Sequence, residues 1–144
     1  MSDFIYSSKS KNYKSKNFKY PVIEDVYNFD YPIFCFKHLV KKFSLDKCDN
    51  IHKKAFITRL CKLAELGFDE INKSGRHQYG NEKINRKSLK FNPPSFITDD
   101  VDFLYAYRYN GKNNPFLAYR RPNSAILHIV AIDYNFKAYD HGGS

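Results

Sequence analysis

The chain predicts an α+β fold, and three observations carry that expectation. Apolar residues recur at helical spacing after residue 50, short β-rich runs separated by turn residues fill residues 101–140, and Pro93-Pro94 bars helix between the two regions. The resulting order is an N-terminal strand, two helices and an antiparallel β-meander. At 144 residues, one domain can bury a core without metal or disulfide support. Its expected extent is residues 21–144, preceded by a basic flexible arm over residues 1–20.

Each element has a local reason. "YPIFCFKHLV" (Tyr31–Val40) is β-rich and reads as the first core strand. Asp49 or Asn50 is placed to cap a helix from about Ile51 to Leu66. Phe56, Ile57, Leu60, Leu63 and Ala64 form its apolar face, and Gly67 supplies a stop. "FDEINKS" then reads as a second short helix. Residues 75–91 read as a loop with a short strand near Ser88–Phe91. Four further strands follow at Val101–Tyr109, Phe116–Arg121, Ala125–Ile132 and Phe136–Asp140, separated by the turn-forming "NGKNN", "PNS" and "DYN".

Pairing follows from loop length. A five-residue loop at Asn110–Asn114 sets Arg108 opposite Phe116 and Leu104 opposite Arg120, so Arg108 and Arg120 share a face. An odd-length loop between Arg121 and Ala125 places His128 with them; an even length places it with Tyr119 and Arg121. A two-residue final turn sets His128 opposite His141, and a three-residue turn sets it opposite Asp140. His128, within "AILHIV", is thus either a hydrogen-bonded core group or the floor of a site.

The charge is +9 overall, concentrated in two segments. Residues 1–20 hold five lysines against Asp3, and residues 75–91 hold five basic residues against Glu82. Such patches are the electrostatic footprint of a nucleic-acid partner, although a basic solvated surface has the same composition. Cys35, Cys48 and Cys61 are odd in number and lack a CxxC pair, which argues against paired zinc ligation and for a reducing, cytoplasmic setting. Cys35 and Cys61 are expected to pack as small apolar groups. No apolar run approaches a membrane span, and the N-terminus lacks a signal-peptide core. Phosphate-loop, HExxH, GxSxG and dinucleotide fingerprints are missing. Neither a cofactor nor a metal is therefore expected.

Metal-free RNA cleavage requires a base for the 2′-hydroxyl, an acid for the leaving 5′-oxygen, and cations for the developing phosphorane charge. Arg108, Arg120, Arg121, Lys137, Tyr139 and His141 can supply these, with Glu82 or His77 as further acid–base groups. Arg76, His77, Lys83, Arg86 and Lys87 extend the expected nucleic-acid surface, arginine being suited to phosphate by its two-pronged donor geometry. A cleavage site built on Arg120, Tyr139 and His141 requires that the three converge in one shallow cleft.

The strand, helices, meander and Tyr/His-bearing tail resemble the RelE/ParE superfamily of small basic toxins. "RHQYGNEKI" together with "FLAYRRPNSAILHIVAIDYNFKAYDH" also resembles small phage- and mobile-element-associated proteins, through His77, Gly80, Glu82–Ile84 and Ile132–His141. The resemblance spans roughly Tyr31–His141. It implies Arg108, Arg120 and Arg121 as phosphate ligands, Tyr139 or His141 as the proton-transfer group, and Glu82 as a base. The chain departs from typical members in its length and its N-terminal arm. ParE-like relatives inhibit gyrase and lack these catalytic groups, so fold likeness does not by itself secure cleavage. The function expected is an RNA-binding toxin acting as an endoribonuclease on RNA or at the ribosome, with an acidic antitoxin as partner. The alternative is a non-enzymatic inhibitor from a phage or mobile element that binds a host nucleic-acid-processing protein through its basic surface.

Overall fold

A computed structural model of the chain describes residues 29–141. The arm expected over residues 1–20 lies outside the described residues. The elements are β1 (Ile33–Cys35), α1 (Asn50–Lys73), β2 (Asn81–Asn85), β3 (Phe103–Arg108), β4 (Pro115–Tyr119) and β5 (Ile126–Ile132). Short 3-10 turns lie at Lys41–Phe43, Leu45–Lys47 and Arg86–Ser88. Among the described residues the strands form one five-stranded sheet in the order β1-β5-β4-β3-β2. Strands β2 to β5 are an antiparallel meander, and β1 joins β5 in parallel. No described helix is long and apolar enough to cross a membrane.

Asp49 caps α1, its carboxylate accepting the His52 N–H at 2.9 Å, an interaction worth about 1 kcal/mol. Phe56, Leu60, Leu63, Phe68 and Ile71 are the buried positions of the helix, whereas Ile57 and Ala64, expected to be buried, are exposed. Phe56 and Leu63 are fully buried, contributing about 1.5–3 kcal/mol each by removing apolar surface from water. The two expected helices are one helical element kinked at Gly67, whose φ of 82° and ψ of 168° are non-helical. The Phe68 N–H, diverted from the helix ladder, donates instead to the Asp30 carbonyl at 2.8 Å. Both arms contribute to the same apolar cluster, Phe56, Leu60 and Leu63 from before the kink and Ile71 from after it.

The sheet separates two apolar clusters. On the helix side, Phe56, Leu60, Leu63 and Ile71 meet Tyr107, Phe116, Ala118, Leu127, Ile129 and Ile132. On the opposite side, Leu104, Ala106, Leu117, Val130 and Ala131 are covered by Phe43, Ile97, Ala138 and Tyr139. A bulge allows this division. Leu117 pairs with Ala131 and Ala118 with Ile129, so Val130 is the extra residue and the alternation of β5 shifts by one.

Several expected boundaries move. The first strand is three residues long rather than ten, because the chain turns after Cys35 toward the 3-10 turn at Lys41–Phe43. The strand expected at Ser88–Phe91 lies instead at Asn81–Asn85, where Glu82 and Ile84 alternate against Ala106 and Leu104. Phe136–Asp140 is not a strand; it makes one isolated bridge, Leu89 with Tyr139. The second edge of β5 is already occupied by β1, with Cys35 beside His128, so the tail cannot pair there. His128 therefore lies opposite Tyr119 and Cys35, not His141 or Asp140.

The β3–β4 register is also one residue from the expected one. Arg108 pairs with Pro115 and Tyr107 with Phe116, because the loop is Tyr109–Asn114, six residues rather than five. Asn110 ties this loop together: its Oδ1 accepts the N–H groups of Lys112 and Asn114. A one-residue shift moves a strand's side chains to the other face. Arg108 and Arg120 consequently lie on opposite sides of the sheet.

Candidate acid–base cleft

On the side away from α1, a cleft of about 410 Å³ opens between β2, the end of β3, the Arg76–His77 loop and the tail. Its lining includes Arg76, His77, Glu82, Lys83, Ser88, Arg108, Tyr139 and His141. Strand pairing delivers the central pair. Glu82 lies opposite Ala106, two residues from Arg108 on the same face, and its Oε2 accepts from Arg108 Nη2 at 2.6 Å. Arg76 Nη1 donates to the other carboxylate oxygen at 3.0 Å. Arg108 is 7% exposed, and an Arg at that depth needs such a partner. Its Nη1 donates to the Tyr139 hydroxyl oxygen at 3.1 Å, leaving the phenolic proton to point elsewhere. Its Nε is buried without a hydrogen-bond partner.

The tail reaches this cleft through Asp133, a residue absent from the sequence-derived site. Asp133 ends the apolar run of β5 and is fully buried. One carboxylate oxygen accepts the backbone N–H groups of Lys137 at 2.8 Å and Ala138 at 3.1 Å, folding the chain back on itself. The other oxygen lies 3.2 Å from His141 Nε2. His141 then stacks on Tyr139 at 3.9 Å between ring centroids. Burial pushes the Asp133 carboxyl above its ordinary 3.8, against the opposing pull of the Lys137 N–H, His141 and the Ala138 N–H. Burial likewise pushes the Tyr139 hydroxyl above 10.0, against the lowering pull of Arg108. Tyr139 therefore keeps its proton at neutral pH, where it is a donor and not a base.

The structure thus gathers Glu82, Arg108, Tyr139, His141, Arg76, His77 and Lys83. It does not gather the rest. Arg120 lies on the helix side, its guanidinium 3.7 Å from the Phe68 ring centroid and its Nε donating to the Ser124 carbonyl at 2.5 Å. A catalytic trio of Arg120, Tyr139 and His141 is thereby ruled out. Arg121 stands over Phe96 at 5.0 Å, and His128 is near the same ring at 4.7 Å, so His128 is not the floor of the cleft. Arg86 clamps the 97–101 segment, donating to the carbonyls of Thr98 and Val101 at 2.6 and 3.2 Å. Lys87 and Lys137 are exposed outside the lining. Cys61, expected to pack, is exposed, while Cys48 is buried.

A larger groove of about 510 Å³ runs along α1 beside Ile51, Ala55, Thr58, Tyr79 and Tyr109. Lys54, Arg59 and Lys62 also line it, but no carboxylate or histidine does, whereas Glu82, His77 and His141 line the smaller cleft. Among the described residues no group of three or more His, Cys, Asp or Glu side chains is disposed to hold a metal ion. Asp133 had a legible signal: an acidic residue directly after the apolar run Ile129–Ile132, opening "DYN", is placed for side-chain capping of a turn.

The fold and cleft define a class: a basic α+β domain presenting a carboxylate, two guanidiniums, a phenol and an Asp-linked imidazole in one depression. No family model, curated protein or solved structure matches the chain.

Proposed function

We propose that the chain is a RelE-like toxin that binds RNA in this cleft and cleaves it without a metal ion. The observation that supports the reading best is the convergence of Glu82, Arg108, Tyr139 and His141, brought from two strands and the tail to one depression on a strongly basic chain. Glu82 accepts the 2′-hydroxyl proton, the 2′-oxygen attacks phosphorus, and the P–O5′ bond breaks as the leaving oxygen takes a proton from His141 or Tyr139. The products are a 2′,3′-cyclic phosphate and a 5′-hydroxyl. Arg108, with Arg76 and Lys83 toward solvent, offsets the charge that builds on the phosphorane. Glu82 retains acceptor capacity beyond the two guanidinium contacts, since a carboxylate has about four lone-pair sites.

A second reading rests on one specific feature. Glu82 already bridges both Arg76 and Arg108, so the cleft is partly self-neutralised, which suits a non-enzymatic inhibitor docking on a nucleic-acid-processing protein.

One assay separates them. RNA is incubated with the protein, with and without translating ribosomes, and new ends are mapped. Cuts that persist with chelator and fall at least a hundredfold in Tyr139→Phe/His141→Ala support cleavage. Intact RNA in both arms, with binding that weakens steeply with salt, refutes cleavage and favours the inhibitor.

A further inference from the structure

The turn between β5 and Tyr139 contains an unusual residue. Phe136 has a φ of +59°, in the left-handed region. The other non-glycine residues at positive φ among the described residues are Asn113 and Asn123, a type whose short polar side chain tolerates that backbone. A bulky aromatic does not, and its presence there marks an outlier. Burial does not explain the choice, because Phe136 is 45% exposed. Nor does the turn need it. The Asp133 carboxylate and Asn135 Oδ1 both accept the Lys137 N–H, holding the backbone whatever side chain stands at 136. Glycine or asparagine would fit the same turn with less strain.

The ring itself is well placed. It meets His141 edge-on, with centroids 5.5 Å apart and an interplanar angle of 76°. His141 is part of the cleft wall, so the Phe136 ring stands beside the rim, with Lys137 exposed next to it in the chain. We propose that Phe136 is a stacking platform for a nucleobase of single-stranded RNA. The base adjoining the phosphodiester in the cleft lies on the exposed ring, and Lys137 meets the neighbouring phosphate. This inference rests on the RNA reading above and adds the strandedness of the substrate. A duplex keeps its base faces stacked on one another, whereas an unpaired base offers a π-face that an aromatic side chain can cover whatever the sequence.

The test measures binding apart from cleavage. Fluorescence anisotropy follows a labelled single-stranded RNA whose 2′-oxygens are methylated to block cleavage, and the same RNA annealed to its complement, on wild type, Phe136→Gly and Phe136→Trp, with melting temperatures recorded for all three. Wild type is expected to prefer the single strand. Phe136→Gly should weaken single-strand binding roughly tenfold or more while its melting temperature stays level or rises. Phe136→Trp should restore the affinity. Wild-type affinity in Phe136→Gly overturns the platform but leaves the RNA reading standing. Equal loss for single strand and duplex also overturns it, because the side chain then acts without stacking. No binding of either RNA by wild type overturns both readings together.

Discussion

Removing the Asp133 carboxylate should unfold the tail before it touches the sheet core. In Asp133→Ala two backbone N–H groups lose their acceptor. That of Ala138 is buried, and leaving such a donor unsatisfied costs about 1–3 kcal/mol. That of Lys137 is near solvent and has Asn135 Oδ1 at 3.3 Å, so its loss is about 0.5–1 kcal/mol. The His141 contact is partly exposed and adds about 0–1 kcal/mol. The sum is roughly 1.5–5 kcal/mol, or a melting temperature lower by about 5–20 °C for a domain of this size. Asp133→Asn keeps an oxygen for both N–H groups and should lose about 1 kcal/mol or less. Urea unfolding of the three proteins is the assay. Equal losses for Ala and Asn, or an Ala loss below about 0.5 kcal/mol, would show that the carboxylate does not hold the turn. The pH dependence supplies a second readout. Because the folded-state pKa of Asp133 is raised above 3.8, the folded chain binds the extra proton. Its contribution to stability is complete below about pH 3.8 and is lost as pH rises through the raised value. That component should vanish in Asp133→Asn.

Three further substitutions probe the fold and the corrected site. Gly67→Ala should destabilise by about 1–3 kcal/mol in thermal or urea unfolding, the reverse of the gain expected for an ordinary helix interior. Its φ of 82° disfavours any side chain, and an added Cβ would lie 3.1 Å from the Asp30 carbonyl oxygen; a higher melting temperature would contradict the kink. Arg120→Ala should lower stability by about 1 kcal/mol through loss of the contact over Phe68, yet leave the rate of RNA cleavage within twofold, whereas Arg108→Met should abolish it. A large cleavage defect in a folded Arg120→Ala protein would contradict the placement of the cleft.

Much of the architecture follows from local chemistry that any reader of the chain can apply. Asp49 before "NIHKKAF" caps a helix, the apolar spacing of Phe56, Leu60 and Leu63 sets its buried face, and Asn- and Gly-rich turns separate the strands of the meander. Glu82, Arg108, Tyr139 and His141, which line one cleft, were also singled out from the sequence by their ionisable side chains. Their partners were not. Whether Arg120 joins Arg108 depends on one residue of loop length between β3 and β4, and that length is settled by Asn110 bonding across the loop, not by the strand sequences. Where the tail goes depends on β1, which is distant in sequence yet takes the edge of β5 that the tail was expected to pair with. The tail then folds back on Asp133 and delivers Tyr139 and His141 to the cleft. Residue type and spacing are properties of the chain alone; register and edge occupancy are competitions between segments, decided only when all of them pack at once.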